Sequence, residues 1–346
     1  MNSKANALYE SKKLHVAIFG LTLAFIGAVC NTTFQNFNVA ATGIIQESFA
    51  STMLAAYVLS VLAIAICEFG GGIIMIIFNT CRGVSLAEYG RVLGVHSART
   101  MLLSSIAAGP VGTACAVMAI ALCGSTYANC VISLTPVVTA IFGILILKEK
   151  SGPRVWLGIL ICTVGILIAT FSPPEGITNF YTGIAIACIC PIAYTLENII
   201  SVHALDVTDP VISCPVYRMI GSSIIEMIVV LCVCAVTGHM AWIGLAFSVM
   251  GSNHACLLLL FCCALFMAIQ YNSTYASYTY CGAIKAAAIL WTGTFWTIPV
   301  GFTMMALNIL DYNVTTMGVI GAIAVVIGIA LVVAKPKELF SLRNNE

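Results

Sequence analysis

The chain has 346 residues, of which 61% are hydrophobic and 8% charged, with a formal net charge of +1, against about 25% charged in an ordinary soluble domain. That composition excludes an ordinary soluble enzyme, and the near-zero charge gives no argument for a nucleic-acid partner. An all-α integral membrane protein is expected.

A membrane-crossing helix needs about 20 mainly apolar residues. Ten such runs follow one another, at 14–36, 51–78, 99–122, 125–147, 153–171, 181–203, 212–236, 255–279, 284–306 and 314–334. The first has a basic lead (Lys4, Lys12, Lys13) like that of a secretory leader. No small-residue cleavage site follows, however, and nine further spans do, so it is expected to stay. The longest connections, about 20 residues after the second and seventh spans, leave no room for a soluble catalytic domain. The chain therefore reads as a single membrane domain, 1–346, and its function as lying within the bundle.

Along the chain, the second span carries Glu68. The sixth carries Tyr194 and Glu197 in CPIAYTLENII, and the seventh Arg218 and Glu226. Each charge would cost a few kcal/mol at the bilayer centre unless it faces protein, water or a partner, so all four should point inward. Glu197 and Arg218 lie at matching depths on consecutive spans and read as an ion pair, either a helix lock or a switchable gate. One arginine among three carboxylates leaves excess negative charge, which suits a cationic solute or coupling to H+ or Na+. Glu68 and Glu226 are candidate proton or cation sites, with packing roles as the alternative.

In the eighth span, Tyr271 and Tyr275 share a helix face within the polar run QYNSTYASYTY, which should line a cavity. Trp296 is about twelve residues into the ninth span, too deep for the interfacial belt to which Trp156 and Trp291 are assigned. Aromatic faces attract desolvated cations, although ring packing between helices would explain the same residues. The sixteen cysteines fall mainly within spans and read as small apolar residues. No metal-ligand spacing, phosphate-binding loop or cofactor motif is present.

Shifting the chain on itself by 163 residues lays Thr135–Leu147 on Ile298–Leu310, with Pro136 on Pro299, Gly158 on Gly321 and Gly165 on Gly328. Two five-helix repeats, 14–171 and 181–334, follow. An odd span count inverts the second, the arrangement of many transporters with a midplane site between halves.

These motifs carry a family resemblance over 14–334. The segment from AGPVG through TPVVTAIFGILILKEKSGPRVWLGILICTVGILIA resembles the EamA-like repeat of the drug/metabolite transporter superfamily, including Pro136, Glu149 and the two glycines of the fifth span. The second repeat departs from it with Tyr312 where the first has Glu149. YTGIAIACICPIAYTLENIISVHA, the arginine of VYRMIGS, Lys285 and Trp296 are similar to the bacterial choline transporter branch. That resemblance implies an aromatic cage of Tyr194, Tyr271, Tyr275 and Trp296 with Glu197 as counter-charge. AFIGAVC departs from the branch, offering Ile26 where those transporters carry a tryptophan before a glycine.

The expected function is secondary transport of a small cationic or zwitterionic solute, choline or a related quaternary amine, by alternating access in the cell membrane, without cofactor or catalysis. The rival within that class is export of amino acids, metabolites or drugs. An intramembrane lipid-modifying enzyme and a non-transporting partner subunit are the rivals outside it, and a homodimer is compatible with each. Lysine and arginine favour cytoplasmic loops. Placing both termini in the cytoplasm puts thirteen of the fourteen there and leaves Arg218 within a span. In a cysteine-free background, a single cysteine at position 175 should label from outside and one at position 150 only from inside; the reverse pattern would refute this orientation.

Overall fold

The computed structural model describes residues 3–146, 153–171, 179–205, 209–281, 286 and 289–333. Glu149 and Lys285, named above, lie outside the described residues, as do positions 150 and 175. In chain order the helices are α1 (Ser3–Gln46), α2 (Met53–Cys81), α3 (Leu86–Leu93), α4 (His96–Ile106), α5 (Ala114–Cys123), α6 (Ser125–Ile132), α7 (Thr135–Ile146) and α8 (Pro153–Phe171). There follow α9 (Phe180–Ala187), α10 (Ile189–Leu205), α11 (Pro210–Ser213), α12 (Ser222–Thr237), α13 (Ala241–Ser252), α14 (His254–Cys281), α15 (Gly293–Ala306) and α16 (Thr316–Val333). Two π-helical segments, Ala107–Thr113 and Cys214–Gly221, join α4 to α5 and α11 to α12.

Among the described residues, six continuous helical stretches are long and apolar enough to cross a membrane: His15–Gln46, Met53–Cys81, Met101–Cys123, Phe180–Ser201, Cys214–Thr237 and His254–Tyr280. Ten apolar runs were expected. The fourth is divided between α6 and α7 by Ser133 and Leu134, and Pro136 is the second residue of α7, where its ring suits a first helical turn but would block a helix interior. Gly124, at φ +90°, separates α5 from α6, a conformation that costs other residues more. The connection after the seventh run forms α13. At about 18 Å this apolar helix is too short for a hydrocarbon layer of about 30 Å.

Packing explains why small residues recur. Helices α1 and α14 run antiparallel: Gly27 lies against Thr274, and the Cys256 thiol reaches Ala41 O at 3.8 Å. Buried Asn38 joins them to α2 through Cys67 at 3.8 Å and Cys263 at 3.7 Å. Helices α8 and α16 are also antiparallel, with glycines at the crossing. A Cβ on Gly165 would stand 3.0 Å from Gly321 O and 2.9 Å from Val325 N. One on Gly328 would stand 2.8 Å from Gly158 O and 2.7 Å from Cys162 N. The Cys162 thiol bonds Val325 O at 3.5 Å. Lipid supplies no hydrophobic drive between helices, so close backbone approach does the work instead. Large apolar side chains such as Leu160, Leu167 and Ile327 point outward.

Tyr312, in the turn before α16, packs its ring on Gly301 and shares a 2.5 Å hydrogen bond with Thr126. Burial pushes its phenol up to about 12.

Gly321→Ala should lower stability by about 1–3 kcal/mol through overpacking, because its Cβ would meet Gly165 O at 2.5 Å. Gly43→Ala, with nothing within 4 Å of the new methyl, should be neutral or stabilising by up to about 1 kcal/mol. Thermal unfolding in one detergent compares the two, and equal losses would remove the glycine crossing from the account.

Candidate solute site

Two proline-containing helix defects shape the interior. Pro110 has no N–H to donate, and the helix around it widens into the first π segment, where Thr113 reaches back to Ala108 O at 2.9 Å. Pro215 opens the second π segment, which carries Arg218. Single π turns within α-helices are frequent at functional sites. On α2, Gly71 and Gly72 let the second segment approach closely, Gly72 lying 3.1 Å from Pro215 O when measured from the Cβ it lacks.

Arg218 is fully buried, and all three of its guanidinium nitrogens are engaged. Nε donates to Glu197 Oε1 at 2.6 Å, Nη1 donates to Glu68 Oε1 at 2.8 Å, and Nη2 donates to the Tyr271 hydroxyl. The guanidinium carbon also lies 4.3 Å from the centre of the Tyr271 ring. Tyr275 donates to the same Glu197 oxygen at 3.1 Å. The expected Glu197–Arg218 pair is thus present, with Glu68 as a third member that matched depth alone did not connect. A fork of five donors can serve two carboxylates at once.

A cavity of about 50 Å³ opens beside this cluster. On this measure one water needs about 10–15 Å³, so the space admits a group of a few heavy atoms. Tyr194, Tyr271, Tyr275, Tyr278 and Trp291 supply aromatic walls, and Glu197 is the charged side chain among the lining residues. Tyr271 and Tyr275 stack at 6.1 Å with planes 16° apart, and Tyr194 meets Trp291 at 5.9 Å. Gly112 allows that position of Tyr194, whose ring would lie 2.9 Å from a Cβ there. Helix α1 adds Asn31, Phe34 and Gln35, and α14 adds Gln270 and Thr274. Gln35 Oε1, Gln270 Oε1 and Trp291 Nε1 are buried without a protein hydrogen-bond partner.

Among the residues expected at the site, Tyr194, Glu197, Tyr271 and Tyr275 come together around the cavity, with Arg218 and Glu68 bonded behind them. Trp296 does not line it. It packs against Phe25 and Phe295 at 5.0 and 5.2 Å, two rings exposed on the outside of the bundle. Trp291, assigned above to the interfacial belt, is the tryptophan that lines the cavity. Trp291 sits in the turn before α15 and Trp296 within that helix, so the two tryptophans face different spaces. Glu226 is fully buried away from the cavity, with both carboxylate oxygens unpartnered. The contribution of α1 was missed, although NTTFQN places six polar or aromatic residues inside an apolar span, which was a usable signal.

Residues 48–171 match the model of the EamA-like transporter family. A solved structure described as "Crystal structure of protein" has the same overall fold, with a TM-score of 0.54 at 13% identity over 92% of this chain and 97% of its own. No curated protein matches. The family match and the apolar helices together support a multi-pass membrane protein of transporter type.

Removing one member of the Arg218 cluster strands the others. Arg218→Met alone should cost about 3–5 kcal/mol, and adding Glu68→Gln and Glu197→Gln should recover part of that loss. Unfolding midpoints of the single, double and triple variants measure it. Strictly additive losses would show that the three do not act as a unit.

Proposed function

We propose that the chain is a secondary transporter of a small cationic or zwitterionic solute, a quaternary or alkyl ammonium such as choline being favoured, bound in the aromatic cavity beside Glu197. The observation that carries this reading is the combination of six aromatic rings and one carboxylate around a space of a few heavy atoms. Ring faces attract a desolvated cation, and the carboxylate balances its charge. Because Glu197 is already shared between Arg218 and Tyr275, an arriving ammonium competes with Arg218 for the same oxygen. That competition ties solute binding to the contact between α10 and the second π segment, which is how binding would bias an inner gate.

Alternating access in this reading uses two inverted repeats, 14–171 and 181–334. Its support is the pattern of contacts between α8 and α16. Under the 163-residue offset, Gly165 against Gly321 exchanges with Gly328 against Gly158, and Cys162 touches its own counterpart, Val325. Such reciprocity is what a two-fold axis through the crossing would produce. We place both termini in the cytoplasm of a plasma membrane on the distribution of lysine and arginine.

A second reading, export of amino acids, metabolites or drugs, draws on the unpartnered amide oxygens of Gln35 and Gln270, which would accept from a solute's N–H or O–H.

Binding of tetramethylammonium and choline to the purified protein tests the first reading. Trp291→Ala should weaken it by about 30-fold at most, from up to about 2 kcal/mol per desolvated ring. Glu197→Gln should cost more, and Trp296→Ala should leave it unchanged. Binding of neutral solutes with no response to Glu197→Gln would favour the second reading.

A further inference from the structure

The Arg218 cluster leaves a carboxylate unaccounted for. Glu226, on α12, is fully buried, and neither of its oxygens has a hydrogen-bond partner. It does not stand alone. Ser222, one turn earlier on the same helix, points its hydroxyl between Glu226 and Glu68 without completing a well-formed bond to either. The second oxygen of Glu68, the one Arg218 does not use, is likewise buried and unpartnered. Four oxygens from three side chains therefore converge among α2, α12 and the first π segment. The Gly109 backbone lies directly against Glu226 and Ser222, where a Cβ would collide with both.

Among the described residues, the remaining charged and titratable groups facing Glu226 are Tyr57 and Arg218. Tyr57, on α2, donates its hydroxyl to Pro110 O at 3.0 Å and so is directed elsewhere. Arg218 influences Glu226 only at a distance, its nitrogens being committed to Glu197, Glu68 and Tyr271. A bare carboxylate buried without a donor is among the costliest arrangements in a protein. A proton on one of these oxygens would supply the missing donor and remove the charge together. A hydroxyl set between two carboxyl groups can accept a hydrogen bond from one and donate to the other.

We propose that Glu226, Ser222 and Glu68 form an occluded proton site, and that its proton is exchanged for the cationic solute bound at Glu197. The coupling rests on the cation reading of the cavity; the proton site does not. In the solute-free state the carboxyl proton is on Glu226, hydrogen-bonded through Ser222 to Glu68. Arrival of an ammonium at Glu197 takes over part of that carboxylate's charge and shifts Arg218 toward Glu68. Glu226 then gives its proton to water, becoming a carboxylate as the water becomes hydronium. One positive charge enters as one leaves, so the interior keeps the same net charge in both states. The chain would thus exchange protons for its solute, using a carboxylate that the solute never touches.

The site is tested without any solute by infrared difference spectra of the whole chain in lipid nanodiscs as pH is varied. Wild type should show the C=O stretch of a protonated carboxyl that disappears as pH rises. Glu226→Asp should keep and shift the band, Ser222→Ala should shift it, and Glu226→Gln should abolish it. No such band in wild type, or one unchanged in Glu226→Gln, would overturn the proton site. The coupling is read separately from tetramethylammonium binding. One proton released per cation bound makes apparent affinity rise about tenfold per pH unit while the site is protonated, and Glu226→Gln should flatten that slope. A slope in wild type that Glu226→Gln leaves intact, or a dependence on sodium in place of pH, would overturn the exchange. Absence of tetramethylammonium binding at any pH would overturn the cation reading and the coupling with it, while the infrared result still decides the proton site.

Discussion

The structure depends on the buried cation Arg218. A guanidinium taken from water into the centre of an apolar bundle costs several kcal/mol and is tolerated only when its donors are satisfied by opposite charge. Arg218 meets that condition through Glu68 on α2, Glu197 on α10 and Tyr271 on α14, from its own position in a π segment. Four parts of the chain far apart in sequence are thereby held to one point. The cavity is the space left beside that point, and its aromatic walls are the neighbouring faces of the helices the cluster holds together.

The two π segments explain how regular helices present such irregular chemistry. A proline in each removes an N–H, and the widened turn redirects the side chains that follow. In the first segment the glycines matter as much as the proline. Gly112 admits the Tyr194 ring and Gly109 admits Glu226, so one defect borders both the proposed solute site and the proposed proton site. Their closeness is what ties the two proposed sites together, since Glu68 bonds Arg218 through one oxygen and its carboxyl lies beside Ser222.

Elsewhere the bundle follows the demands of an apolar solvent. Large aliphatic side chains cover the outside, and contact between helices relies on small residues and on single polar links such as Asn38 to Cys67 and Cys263. The α8–α16 crossing is the clearest case: four glycines bring the backbones together where a leucine seam would serve in water.

Composition and hydropathy were enough to determine a helical membrane protein, because lipid forces every backbone group to be satisfied within its own segment. Cost alone likewise dictated that Glu68, Glu197, Arg218 and Glu226 turn inward, and a spacing of four put Tyr271 and Tyr275 on one face. The tertiary structure decided what periodicity cannot carry. It joined Glu68 to Arg218 across 150 residues, brought the polar stretch of α1 to the cavity, and chose Trp291 over Trp296 as its wall. Those outcomes depend on how each helix is rotated about its axis and where it breaks. Both are set by packing against neighbours remote in sequence, whereas burial cost and helical spacing are properties of the residues themselves.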